Sequence, residues 1–428
     1  MAAMTASVTS RFGVDGGPKR ERHPRARDWR LTAVALSLLG FLAATNRYVG
    51  TSEDIHLLHD TDSLSYRAMA HAAPGLLHRR IPEWHAERFS VEWVIGSLAK
   101  LLHLGMTPAY FIAAGAVIVT ICLVLVDLLE RIGMSRGAGS VCLALFVIKP
   151  YTLRSYLLGP AGVADLVLVL GATIAVRGLV LRSPAGVLGG VLLGTIARQT
   201  AVPAAVVAAA AIVIDPRWRA RLGRWRVPLA LAVLAAAVGC YGIIRVVAHP
   251  FSGPSPSLHV ITLLGAPRSL HVIAEHFARC VIPLPAVSAI LAASWWARRR
   301  ALATVEGSAE ARTPVAFWTS LAFGAAIVAQ AMVLNPVWAS YNEPRLSALG
   351  IVPLVVAAAL GLRELERGRG SALPRSATAT ALALLALGSF HHIYTWLRLA
   401  NVGETAVLQV GVALGLIVVI VRARADQA

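Results

Sequence analysis

Apolar runs long enough to cross a bilayer recur through this chain with basic residues gathered between them, and that alternation constrains the fold more than any motif does. Hydrophobic residues make up 57% of the 428 positions and the mean hydropathy is +0.67, well above a soluble domain. The surplus apolar surface calls for lipid as its solvent. A helix crosses the hydrocarbon core with roughly 20 apolar residues. Candidate spans lie at 31–48, 107–128, 161–176, 227–248, 280–296, 314–334, 346–362, 377–391 and 403–421, with shorter helical arms between them. The expected fold class is all-α, a polytopic transmembrane helical protein with about 12 membrane helices.

Placing the N-terminus in the cytoplasm sorts the charges. Segments 1–30, 129–137, 177–185, 215–226, 297–313, 363–376 and 422–428 then hold 26 of the 40 Lys and Arg residues, which satisfies the positive-inside rule. The other side receives 12 of the 13 histidines, all but His23, and 11 of the 22 acids, so the chemistry is expected outside. A formal net charge of +18 spread over short membrane-flanking loops reads as attachment to anionic lipid and excludes a nucleic-acid groove. Residues 1–30 form a basic cytoplasmic arm, 31–421 a single transmembrane domain and 422–428 a cytoplasmic tail. The stretch Leu31–Val49 lacks a good cleavage site and is expected to stay as a helix. Cys122, Cys142, Cys240 and Cys280 show no metal-ligand spacing and read as small buried hydrophobes. The bias toward Ala, Arg, Gly and Val suggests a GC-rich bacterial source.

The longest polar insertion, 51–105, carries Glu53, Asp54, His56, His59 and the turn Asp60-Thr61-Asp62, followed by Tyr66, His85, Glu87 and Arg88. Long ordered loops are usually functional. Thr61 or Asp62 can cap a helix whose Leu64, Ala68, Met69 and Ala72 share a face, and a second amphipathic helix is expected from Val91 to His103 through Val94, Ile95, Leu98 and Leu102. Both would lie in the interface plane and hold the acidic turn where a lipid-linked headgroup arrives. Asp62 serves equally as a helix cap and Asp60 as a loop solvator. His56, His59 and Asp60 have the spacing to seat a divalent ion, or stand simply as solvated loop residues.

Two apolar arms are too short to cross. Ala138–Ile148 would rise roughly 16 Å against a core of roughly 30 Å. Its tip carries Arg154, and the return helix, starting at Pro160, carries Asp165 in its first turns. Gly186–Ile196 is the second short arm, followed by Arg198 and Gln199. An ionisable residue at membrane depth costs roughly 2.5–3.5 kcal/mol on insertion scales, so it marks a functional or a paired site. Arg198 either binds an anion with its fork or bridges Asp165; Arg154 and Arg345 either bind an anion or snorkel to the headgroups.

Asp60-Thr61-Asp62 with Ser65-Tyr66 and Met69-Ala70, Glu87-Arg88-Phe89, and the hairpin Gly190, Leu192, Leu193, Gly194, Ala197-Arg198-Gln199-Thr200 resemble the GT-C superfamily of membrane glycosyltransferases, which use polyprenyl-phosphate sugars. In the bacterial segment this hairpin resembles, an acid stands where Gln199 stands here. The resemblance implies an inverting transfer on the outer face of a bacterial cytoplasmic membrane, to an envelope glycan, lipid or protein acceptor. It implies Asp60 or Asp62 as the general base and Arg198, with Arg154 and Arg345, as the cations on the donor phosphate. Tyr66, Glu87, Arg88, Asp165 and Gln199 are supporting residues, and a divalent cation at His56, His59 and Asp60 is a possible cofactor. Only 422–428 follow the last span, which points to a compact transferase rather than the oligosaccharyltransferase type. A transporter or flippase of a lipid-linked sugar, or a noncatalytic scaffold of the same fold, would use the broken hairpins without the outer carboxylates.

Overall fold

The computed structural model describes residues 29–49, 62–149, 152–153, 156, 162–254, 257, 262–265, 269–303, 315–336, 343–389 and 402–425. Among them stand eighteen α-helices and no strand. The all-α class expected from sequence is the one observed. Among the described residues five helical segments are long and apolar enough to cross a membrane: Met106–Arg131, Val163–Leu181, Pro216–Phe251, Val315–Val333 and Thr405–Ala423. A sixth results if Leu270–Val281 and Pro285–Trp296, bent by 68°, count as one broken span. The chain is therefore a multi-pass membrane protein.

The helices in chain order are α1 Trp29–Val49, α2 Asp62–Ala72, α3 Glu83–Ala86, α4 Phe89–Leu101, α5 Met106–Arg131, α6 Arg136–Val147, α7 Val163–Leu181, α8 Pro184–Ala197, α9 Ala201–Ile214, α10 Pro216–Leu222, α11 Arg226–Ala248, α12 Leu270–Val281, α13 Pro285–Ala303, α14 Val315–Val333, α15 Glu343–Ala348, α16 Ile351–Arg369, α17 Arg375–Ser389 and α18 Val402–Ala425. Seven of the nine expected spans each overlap a single helix; the one expected at 280–296 begins at the end of α12 and continues in α13, and the one expected at 346–362 begins in α15 and continues in α16. α16 is wrapped on every side, with Val352, Val355, Val356, Ala357, Ala358 and Ala359 wholly buried. Its charged last turns, from Arg363 to Arg369, explain why it is less apolar than the spans around it.

Short arms and tight turns set the depth of the site. Ser135 caps α6 by accepting from the Ala138 amide, and Ser183 caps α8 by accepting from the Gly186 amide, with Pro184 in the first turn. α7 and α8 then run back to back with almost nothing between them. A Cβ added at Gly171 would lie 2.4 Å from the Gly194 nitrogen, and one at Gly190 would lie 2.3 Å from the Ala175 nitrogen. Small residues at such crossings let backbones touch, the usual means of helix association in lipid. The hairpin therefore fixes the start of α7 relative to the end of α8, where Asp165 and Arg198 stand.

The segment between α1 and α5 departs from expectation in one respect. α4 buries Val91, Glu92, Ile95, Gly96 and Ala99, while Val94, Leu98 and Leu101 of its other face stay exposed. Of the expected stripe only Ile95 turns inward, and Leu64 of α2 is exposed too. Apolar residues on the outside suit helices whose surroundings are lipid, so hydrophobicity does not mark the packed side here. Where α4 crosses α2, a Cβ at Gly96 would fall 1.9 Å from the Ala70 carbonyl oxygen, which only glycine permits. At the same end of the bundle Lys149, buried after α6, donates to Gln409 of α18 at 3.0 Å, and Gln409 donates to the Gly388 carbonyl at 2.9 Å. That chain of bonds ties the last helix to α6 and α17.

Candidate functional site

Asp165 sits in the first turn of α7 and is 1% exposed. Three side chains from three separate places in the sequence reach its carboxylate. Arg198, the residue that ends α8 in extended backbone and is 4% exposed, donates through Nη1 to Oδ1. Arg345 of α15 places its Nε 3.3 Å from Oδ2, and the Tyr156 hydroxyl donates to Oδ2 at 3.2 Å. Two guanidiniums thus share one carboxylate. Arg198 Nε is buried with no hydrogen-bond partner among the described residues, so its fork keeps a donor for something else.

The helices between α1 and α5 lean into this cluster. Arg88 donates to the Tyr66 hydroxyl and its guanidinium lies 5.7 Å from the Tyr66 ring centroid. Its charge also reaches Asp165 and Arg198. Glu92, wholly buried on α4, accepts from the Tyr110 hydroxyl, and its other oxygen has no partner among the described residues. Burial pushes the Glu92 carboxyl up to about 8, against the pull of the Tyr110 hydrogen bond and the Arg88 charge, with Asp165 adding to the rise. At neutral pH Glu92 is mostly the protonated acid.

A second network braces the loop against α11. Arg245 places Nη2 2.7 Å from Glu83 and Nε 3.3 Å from Glu87, and the Tyr241 hydroxyl donates to Glu87 at 3.1 Å. Burial, and the neighbouring Glu83, raise the Glu87 carboxyl above its ordinary range, while Tyr241, Arg245 and Arg88 pull it down. Consecutive residues Glu87, Arg88 and Phe89 therefore serve three directions: Arg245, Tyr66 and the ring of Phe251, 5.8 Å from that of Phe89.

Of the residues singled out from sequence, Tyr66, Arg88, Asp165, Arg198 and Arg345 come together. Arg345 does not snorkel: its side chain is 12% exposed and turned to Asp165. Glu87 stands one network away. Gln199 follows Arg198 at the hairpin tip, its Oε1 buried without a partner among the described residues. Asp60, His56, His59 and Arg154 lie outside the described residues; Asp62 opens α2, but its side chain is outside them too. No group of three His, Cys, Asp or Glu side chains able to hold a metal ion exists among the described residues. Glu92, Tyr110 and Tyr156 were missed as members of the cluster. Glu92 carried a signal, since it recurs with Ile95, Gly96 and Ala99 at helical spacing, a face of small residues and one acid.

Neither a protein-family model nor a curated protein sequence matches the chain. Among solved structures, ArnT from Cupriavidus metallidurans in the apo state is similar with a TM-score of 0.45 and 16% identity, over 91% of this chain and 75% of that one. ArnT from the same organism bound to undecaprenyl phosphate gives 0.42 and 16%, over 93% and 77%.

Proposed function

We propose that the chain is a membrane glycosyltransferase of the GT-C kind, which moves a sugar from a polyprenyl-phosphate donor to an envelope glycan, lipid or protein acceptor on the outer face of a bacterial cytoplasmic membrane. The observation that carries this reading is the pair Arg198 and Arg345 on Asp165, buried where two helices end short of a full crossing. Lipid tails offer no anion at that depth, and a planar guanidinium matches the oxygens of a phosphate. Asp165 holds the two forks apart and oriented before the donor arrives. As the acceptor oxygen attacks the anomeric carbon, the bond from that carbon to the phosphate oxygen breaks and negative charge grows on the departing polyprenyl phosphate. Preplaced cations stabilise that growing charge more than the ground state.

The general base comes from the acidic turn in front of α2. Asp62 opens the helix on which Tyr66 stands, one turn on, and Tyr66 touches Arg88. That contact supports a base drawn from this turn, where a carboxylate would take the acceptor proton. Asp60→Asn and Asp62→Asn test this. At least one should lower transfer to acceptor by a factor of about 100 or more, in the range of general-base loss, with the melting temperature unchanged. Wild-type transfer by both variants removes the base from the scheme. A flippase would export the lipid-linked sugar without these carboxylates, so envelope glycans compared by mass spectrometry with and without the protein, and with the two variants, separate the readings.

A further inference from the structure

Glu343 and Arg345 stand two residues apart on the six-residue helix α15, so they leave it toward opposite sides. Arg345 meets Asp165. Glu343, 2% exposed, meets His276 of α12, Oε1 lying 3.3 Å from Nδ1. The other ring nitrogen of His276 lies 3.3 Å from the Met332 carbonyl oxygen near the end of α14. Cys280, one turn beyond His276, has its sulfur 3.9 Å from the same ring nitrogen and stands beside Ser347, one turn beyond Glu343. Two residues on α12 thus face two on α15 at matching spacing. Nothing in the phosphate cluster uses His276 or Glu343, although each is almost wholly buried.

Burying a carboxylate and an imidazole is costly unless each satisfies the other. Both ring nitrogens face oxygen atoms, and a neutral imidazole has only one N–H. An imidazole N–H turned to the Glu343 carboxylate makes the contact a charge-assisted cross-link instead of a passive packing contact. α15 is only six residues long, and this cross-link joins its first turn to α12.

We propose that His276 is a positioning residue for Arg345: through Glu343 it fixes α15 so that the Arg345 guanidinium meets Asp165 and completes the anion-binding cluster. The proposal rests on the reading of that cluster as the donor-phosphate site. Binding of farnesyl phosphate to the full chain in nanodiscs tests it, with His276→Ala, Arg345→Ala and the double variant. Each single variant should lose affinity about ten-fold, and the double variant should lose no more than Arg345→Ala alone, because His276 acts only through Arg345. His276→Gln, which keeps a donor toward Glu343, should restore most of the binding. Losses that multiply in the double variant, or unchanged binding by His276→Ala, overturn the proposal and leave the phosphate site standing. Unchanged binding by Arg345→Ala, or no binding by the wild type, overturns the phosphate reading and the proposal with it. Should His276→Ala fail to fold, judged by its melt, Glu343→Gln takes its place in the same cycle with the same expected outcomes.

Discussion

Asp165 would be an expensive residue to bury alone, and the three groups on it decide what its neighbours can be changed to. Because Arg345 and Tyr156 remain on the carboxylate when Arg198 is removed, Arg198→Ala should still fold. What it loses is the fork. Donor affinity should fall in the order wild type, Arg198→Lys, Arg198→Ala, the last by about 100-fold, the equivalent of roughly 3 kcal/mol for hydrogen bonds to a charged group. Binding assays paired with thermal melts check it; normal binding with a lowered melt in both Arg198→Ala and Asp165→Ala would favour a purely structural bridge. Glu92 gives a pH prediction of definite sign. Folded, it keeps its proton up to about pH 8; unfolded, it gives it up near its ordinary value of 4.5. The folded state therefore binds more protons between those limits, and this group's contribution falls as pH rises through the window, by up to about 1.4 kcal/mol per unit, then levels off. Melts of wild type and Glu92→Gln from pH 5 to 8 should diverge with that slope, the variant being the flatter. Arg198, Asp165 and Arg345 were legible in the sequence because charge stands out in apolar runs. Glu92 was missed despite its helical spacing with Ile95, Gly96 and Ala99, because its helix has two apolar faces and the more hydrophobic one turns outward.

At the scale of elements, the helices were legible because lipid imposes length and apolarity on any segment that crosses it. The short arms showed as well: α6 and α8 begin within two residues of their expected starts, set by Ser135 and by Ser183 with Pro184. The glycines of the second arm were noted for their resemblance, but their mechanical role appears only in three dimensions, where α7 and α8 touch through backbone. Gly190 and Gly189 make that role testable side by side. A side chain at Gly190 would meet backbone atoms of Ala175 and Gly171 at 2.3 and 2.6 Å, and backbone cannot yield as a flexible side chain does. One at Gly189 would meet nothing within 4 Å. Gly190→Val should destabilise the fold by about 3 kcal/mol or more and weaken donor binding too, by moving Arg198 away from Asp165. Gly189→Val should leave both measurements near wild type. Equal effects would mean that the hairpin is not closed at this crossing.

Over the whole molecule, the two ends of the helix bundle differ in kind. The Asp165 cluster, the Glu83–Arg245 network, α2 to α4, α12 and α15 all gather at one end, whereas the other end carries tight turns rich in arginine, such as Arg217, Arg219, Arg221, Arg224 and Arg226. By the positive-inside rule that basic end would face the cytoplasm, the orientation expected from the sequence. The proposed chemistry would then face outward, where soluble activated sugars are absent and a donor would have to arrive attached to lipid. Orientation is thus a premise of the functional reading, and cysteine labelling tests it directly. Cys122, Cys142 and Cys280 are buried and Cys240 is half-buried, so a serine-substituted background is the right starting point. In that background Ser63→Cys, in the first turn of α2, should react with a membrane-impermeant maleimide on intact cells. Gly307→Cys, between α13 and α14, should react only after permeabilisation. The reverse pattern would place the arginine cluster in the cytoplasm, within reach of nucleotide-activated sugars, and the case for a polyprenyl-phosphate donor would lose its foundation even with every distance in the site unchanged.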